Sequence, residues 1–188
     1  VIELLCDAMG ELVIGDPQWL ATDIGPVIDA AARDTLEQHV RNLAPNARLL
    51  RRLELPAGTG HGSYFAPTVF EIERLDILQR EVFGPVLHIV RYAATALDAV
   101  IEAVNASRYG LTLGIHSRID ERVRHIVSGA HVGNIYVNRN MIGAVVGVQP
   151  FGGEGLSGTG PKAGGPHYLY RFCAEQTVTV NTAAAGGN

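Results

Sequence analysis

Lysine is nearly absent from this chain: of its 15 basic residues only Lys162 is a lysine, and the rest are arginine. A basic excess is absent too. The net charge is −4 with histidine neutral, which argues against nucleic-acid binding, since that needs a positive surface. Only two cysteines occur, Cys6 and Cys173, so no disulfide framework is expected and a reducing, cytoplasmic setting is the default. Neither cysteine has an obvious activating neighbour, and both read as buried structural residues. The seven histidines show no HExxH pattern and no close spacing with cysteine or carboxylates, so no metal site is expected. His39 and His125 read as solvated helix residues, His88 and His116 as strand residues. No apolar run approaches the roughly 18 residues of a membrane-spanning helix, so no transmembrane segment is expected.

What is present supports a folded core. The 188 residues are 47% hydrophobic and 18% charged, enough for one ordinary domain or two very small ones. Residues 1–12 carry apolar positions at helical spacing, and Asp29 reads as the N-cap of a second helix that ends before Pro45. Strands are expected at 47–54 and 64–72, the second as an edge or irregular strand because it contains Pro67. Residues 86–92, 111–117 and 133–138 then read as strands, separated by helices beginning near Leu97 and Ile119. Strand-helix-strand-helix-strand over about fifty residues predicts an α/β fold, doubly wound around a mostly parallel sheet. A short helical piece at 166–172 and an alternating strand at 177–180 close the chain.

Eleven of the 22 glycines fall in residues 129–165, and this long aperiodic stretch leaves a strand end, where open α/β sheets place their ligand crevice. Residues 153–158 fit GxGxxG. They lack the preceding strand and following helix that a dinucleotide fingerprint requires, so a loop packed closely on another segment is the better reading. Asn105-Ala106-Ser107 matches a glycosylation acceptor and is discounted as a short pattern. Glu81-Val82-Phe83-Gly84-Pro85 sets a carboxylate beside an aromatic ring and a turn. That arrangement suits a sugar hydroxyl with the ring packed nearby; the plainer reading is a solvated charge at a strand end.

Four segments together resemble aldehyde dehydrogenases: Glu81-Val82-Phe83-Gly84-Pro85-Val86, Tyr109-Gly110-Leu111-Thr112-Leu113-Gly114, Gly133-Asn134-Ile135-Tyr136-Val137-Asn138 and Pro150-Phe151-Gly152-Gly153. Their order and spacing match along nearly the whole chain. Residues 143–153 and 157–166 resemble more narrowly the glutamate-γ-semialdehyde (1-pyrroline-5-carboxylate) dehydrogenases, in particular the dehydrogenase module of bacterial bifunctional proline-catabolic enzymes.

The resemblance implies an aldehyde dehydrogenase catalytic domain over 1–172 without its nucleophile segment, followed by a C-terminal arm over 173–188. It implies NAD as the parent enzyme's cofactor, with FAD confined to a separate proline dehydrogenase module. Glu81 would bind the nicotinamide ribose and Phe83 would pack beside the nicotinamide. Gly143 and Ala144 would anchor the substrate carboxylate through backbone N–H groups, and Phe151 would pack on the substrate's aliphatic stem. Some relatives carry serine where Ala144 stands, which removes one hydroxyl donor. No catalytic residue is expected in this chain. The nucleophilic cysteine, the general-base glutamate and the N-terminal cofactor domain would lie upstream, and the chain alone would be inactive.

The arm at 177–180 would pair with another subunit, making a homo-oligomer. A cytoplasmic location follows from the resemblance, with peripheral membrane association of the parent as a further expectation. A second reading stays open, because fold does not dictate function: a non-catalytic binding or assembly module on the same fold.

Overall fold

A computed structural model describes residues 1–145, 147–158 and 160–186. The chain divides into two units, Val1–Leu97 and Asp98–Asn188.

In the first unit, helix α1 (Ile2–Gly10) presents Met9 to the interior, and α2 (Ala30–Leu43) buries Leu36 and Leu43. The expected cap forms: the Asp29 carboxylate accepts from the Ala32 N–H at 2.7 Å, satisfying one of the open donors of the first turn. Three strands follow, β1 (Ala47–Arg52), β2 (Thr68–Ile72) and β3 (Val86–Val90), in the order β1-β2-β3. β1 and β2 are antiparallel with an irregularity between Leu49 and Arg51, and β2 and β3 are parallel in the register Thr68 to Val86 through Ile72 to Val90.

The expectation of an edge strand at Pro67 is corrected. Pro67 lies just before β2, its carbonyl accepting from Leu53 N–H, so the ladder loses no donor and β2 is central. Phe70, 1% exposed, forms the core with Leu43 and Ile72, and Val40, Ile77 and Val86 pack around them.

His39 is also not a solvated residue. It is half-buried on α2, with its Nε2 2.9 Å from Nε2 of His88 on β3. The rings meet edge to face at a centroid distance of 5.1 Å. Burial, and then the neighbouring His39, push His88 down to about 4; burial and the positive Arg80 lower His39.

In the second unit α3 (Leu97–Ala106), β4 (Tyr109–Gly110), β5 (Thr112–Ile115), α4 (Asp120–Gly129), β6 (Asn134–Val137) and β7 (Glu154–Gly155) alternate. β5 and β6 are parallel, and β4 pairs antiparallel with β7. The α/β alternation is thus realised as two parallel pairs, β2–β3 and β5–β6, in separate ladders. Asn105 explains itself here. Its amide donates to the Gly129 carbonyl at 2.8 Å and accepts from His131 N–H at 2.8 Å, tying α3 to the end of α4. Residues 166–172 hold a 3-10 turn at Tyr168–Phe172, and residues 177–180 are exposed and pair with no strand among the described residues. Cys173 is exposed and Cys6 half-buried, which corrects the expectation of two buried thiols. No helix among the described residues is long and apolar enough to cross a membrane.

The histidine pair sets a pH dependence. Folding favours both rings neutral, whereas the unfolded chain takes up protons near pH 6.5. Stability is therefore complete above about pH 6.5 and falls as the pH drops toward about 4. Denaturant unfolding at pH 7.5 and pH 5 should show this loss, and His88→Gln should shrink the difference between the two.

Candidate functional site

The expected site residues fall in both units, and each unit presents its own group. In the first, the loop before β3 carries Glu81 and Phe83. Phe83 is 82% exposed, while Gly84 sits at φ +155°, where a Cβ would press to 2.5 Å from Leu36 of α2. Glycine is needed at that turn on both counts. Pro85 then joins the loop to the sheet, its carbonyl accepting from Thr68 N–H at 3.0 Å. Beside the turn an apolar groove of about 420 Å³ is lined by Leu5, Met9, Pro67, Gly84, Pro85 and Leu87.

In the second unit, the residues that follow β6 carry Gly143, Ala144 and Phe151. This loop is held at its two ends. At the first end Asn138, at φ 54°, donates to the Ser117 carbonyl and accepts from Ser117 N–H, both at 3.0 Å. At the second end Asn134, 8% exposed, donates to the Pro150 carbonyl at 3.0 Å and accepts from Gly152 N–H at 3.2 Å. Lys162 Nζ donates to the Gly133 carbonyl and lies 3.5 Å from Asn134 Oδ1. Phe151, half-buried, exchanges two backbone hydrogen bonds with Ala163, at 3.0 and 2.9 Å.

Val145 and Gln149 close a turn, with Gln149 N–H donating to the Val145 carbonyl at 2.9 Å and Val145 N–H to Gln149 Oε1 at 3.1 Å. A Cβ on Gly143 would meet nothing within 4 Å. No hydrogen bond among the described residues engages the N–H groups of Gly143 or Ala144.

The glycine-rich segment behaves as a close-packing loop. A Cβ on Gly133 would fall 1.9 Å from the Gly152 carbonyl oxygen, and one on Gly158 would fall 2.3 Å from that of Gly153. The GxGxxG stretch contains β7 and a turn with no helix opening behind it, which is not a dinucleotide-binding geometry. Three supporting residues were not singled out as such in the sequence: Asn134, Asn138 and Lys162. The available signals were an asparagine at either end of one short strand and the single lysine. Among the described residues no three metal-ligating side chains come together.

The aldehyde dehydrogenase family profile matches residues 1–178, and the chain belongs to that family. It is 52% identical over 180 residues to the "Bifunctional protein PutA" of Klebsiella aerogenes, covering 93% of this chain and 14% of that protein. It is 36% identical over 181 residues to a 1-pyrroline-5-carboxylate dehydrogenase of Geobacillus thermodenitrificans, covering 95% of this chain and 34% of that one. A crystal structure of a point mutant of proline utilization A from Bradyrhizobium japonicum superposes with a TM-score of 0.89 at 56% identity, covering 97% of this chain and 18% of that chain. The chain therefore spans only a minor part of these relatives.

Crowding at Gly133 and openness at Gly143 predict opposite outcomes for one change. Gly133→Ala should destabilise the protein by about 2 kcal/mol or more, because backbone must move. Gly143→Ala should change stability by less than about 0.5 kcal/mol. Urea unfolding of the two variants checks both.

Proposed function

We propose that the chain is part of an NAD-dependent dehydrogenase that oxidises L-glutamate γ-semialdehyde, formed from 1-pyrroline-5-carboxylate, to L-glutamate. The observation that carries this reading is the loop after β6, pinned at both ends with two neighbouring N–H groups left open at Gly143 and Ala144. Such a pair suits the carboxylate of an amino-acid aldehyde. Phe151, fixed by its bridge to Ala163, offers an apolar face for the carbon chain between the two ends of that substrate. The likeness to PutA and to 1-pyrroline-5-carboxylate dehydrogenases supports the same substrate class.

The residues of the first unit fit the nicotinamide cofactor. A carboxylate at Glu81 accepts hydrogen bonds from ribose hydroxyls, and the open Phe83 ring offers a flat apolar surface beside them. When bound, the cofactor supplies the hydride acceptor. Cysteine nucleophile and general base belong to segments outside this chain, as does the rest of the cofactor domain. Residues 1–172 then act as the positioning part of a catalytic domain. Residues 173–188 act as an arm, with the exposed stretch 177–180 free to add to the sheet of another subunit.

The isolated chain, given NAD and 1-pyrroline-5-carboxylate, should show no turnover above background; clear turnover would remove the claim that its nucleophile lies elsewhere. In the full-length protein carrying this chain, Glu81→Ala should lower kcat/KM for NAD. Gly143→Leu should raise the KM for the aldehyde more than that for NAD. Steady-state kinetics with each substrate varied decide both, and equal effects of Gly143→Leu on the two KM values would count against the anchor.

A further inference from the structure

We propose that Lys162 and Asn134 form a clamp that positions the substrate-anchoring loop, and that through this loop the clamp sustains selectivity for a carboxylate-bearing aldehyde. The inference rests on the role proposed above for Gly143 and Ala144.

Three stretches of backbone meet at the clamp: 133–134 at the start of β6, 150–152 at the end of the loop, and 162–163 beyond it. Gly133 and Gly152 lie too close for any Cβ between them, and a Cβ on Gly152 would reach 3.3 Å from Lys162 Cα. The junction is half-buried around the buried Asn134, and its backbone groups take protein hydrogen-bond partners. Asn134 supplies two, donating to Pro150 and accepting from Gly152. Lys162 supplies another, donating to Gly133 and reaching the same Asn134 oxygen. The amide of Asn134 is thereby fixed in one orientation, because its oxygen faces two donors and its nitrogen faces a carbonyl.

A compact ammonium on a slim stem suits such a junction, whereas a guanidinium presents a wide planar fork. This is the one position in a chain otherwise furnished with arginine where lysine stands. Besides these side chains, the two backbone hydrogen bonds between Phe151 and Ala163 hold the second end of the loop. A Cβ on Gly143 would meet nothing within 4 Å, and Val145 and Gln149 hydrogen-bond to each other. Displacing Pro150–Gly152 therefore displaces the open N–H groups and Phe151 together. Lys162 and Asn134 act through those groups and are positioning residues.

The test uses the full-length protein carrying this chain and its Lys162→Met variant, which keeps the length of the stem and removes the donors. Amide hydrogen exchange at Gly152 should quicken about tenfold, while exchange at Asn138, at the other end of the loop, stays as it was. The ratio of the KM for glutamate semialdehyde to that for propanal, which has no carboxylate, should rise about tenfold. Unchanged exchange at Gly152 would overturn the clamp. Faster exchange with an unchanged KM ratio would overturn its positioning role. If the unaltered protein fails to oxidise glutamate semialdehyde, the proposed function falls instead, and the exchange arm still decides the clamp. Should Lys162→Met prove insoluble, Asn134→Ala, which removes the donor to Pro150 and the acceptor for Gly152, is read in the same way.

Discussion

Gly133 and Gly152 approach so closely that a methyl group on Gly133 would overlap the Gly152 carbonyl oxygen, and the course of the candidate loop of the second unit depends on that approach. The contact lets the chain leave β6, travel through residues 139–149 and return to the strand it left. Close packing of backbone on backbone has a cost, since N–H and C=O groups lose water there. The side chains of Asn134, Ser157 and Lys162 offset it, Ser157 by accepting from Gly110 N–H at 3.1 Å. The glycines and these polar residues are one device: the first make the crowding sterically possible, and the second make it electrostatically tolerable.

The first unit holds its loop by another physical means. Gly84 lets the turn before β3 lie directly on Leu36, and Leu36 is itself 1% exposed on a capped helix. An apolar contact of this kind tolerates exchange for a residue of similar volume. The polar clamp is less forgiving. Removing one partner leaves the other buried and unsatisfied, which costs more than the lost bond was worth. The two loops should therefore differ in which substitutions they accept, the one sensitive to volume and the other to donor and acceptor identity.

Local chemistry was legible in the sequence where it acted locally. Asp29 capped the helix it preceded, and the α/β alternation and its strands emerged close to their expected places. The context around GxGxxG was enough to set aside a dinucleotide fingerprint. What escaped the sequence was pairing across distance. His39 looked like a solvated helix residue because its partner, His88, lies on a strand 49 positions away. Asn105 was rightly set aside as a sugar acceptor, but its bonds to Gly129 and His131 were not foreseen because those residues lie 24 and 26 positions away. Pro67 suggested an edge strand, yet one residue of offset placed it outside the ladder. Of the candidate site, Gly143, Ala144, Phe151, Glu81 and Phe83 were named through motif likeness. The residues that hold them were not, because a clamp has no pattern until three segments meet.

The geometry also separates the two halves of the expected site by strand direction. In parallel α/β sheets, ligands gather at the carboxyl ends of strands. The loop after β6 obeys this, since it leaves the carboxyl end of the β5–β6 pair. The loop carrying Glu81 and Phe83 does not, because it enters the amino end of β3, beside the start of β2. A ligand held there cannot use the strand-end crevice of its own ladder and has to be met by side chains reaching outward. The candidate groups differ in keeping with this: side chains, Glu81 and the exposed Phe83, before β3, and backbone at Gly143 and Ala144 after β6.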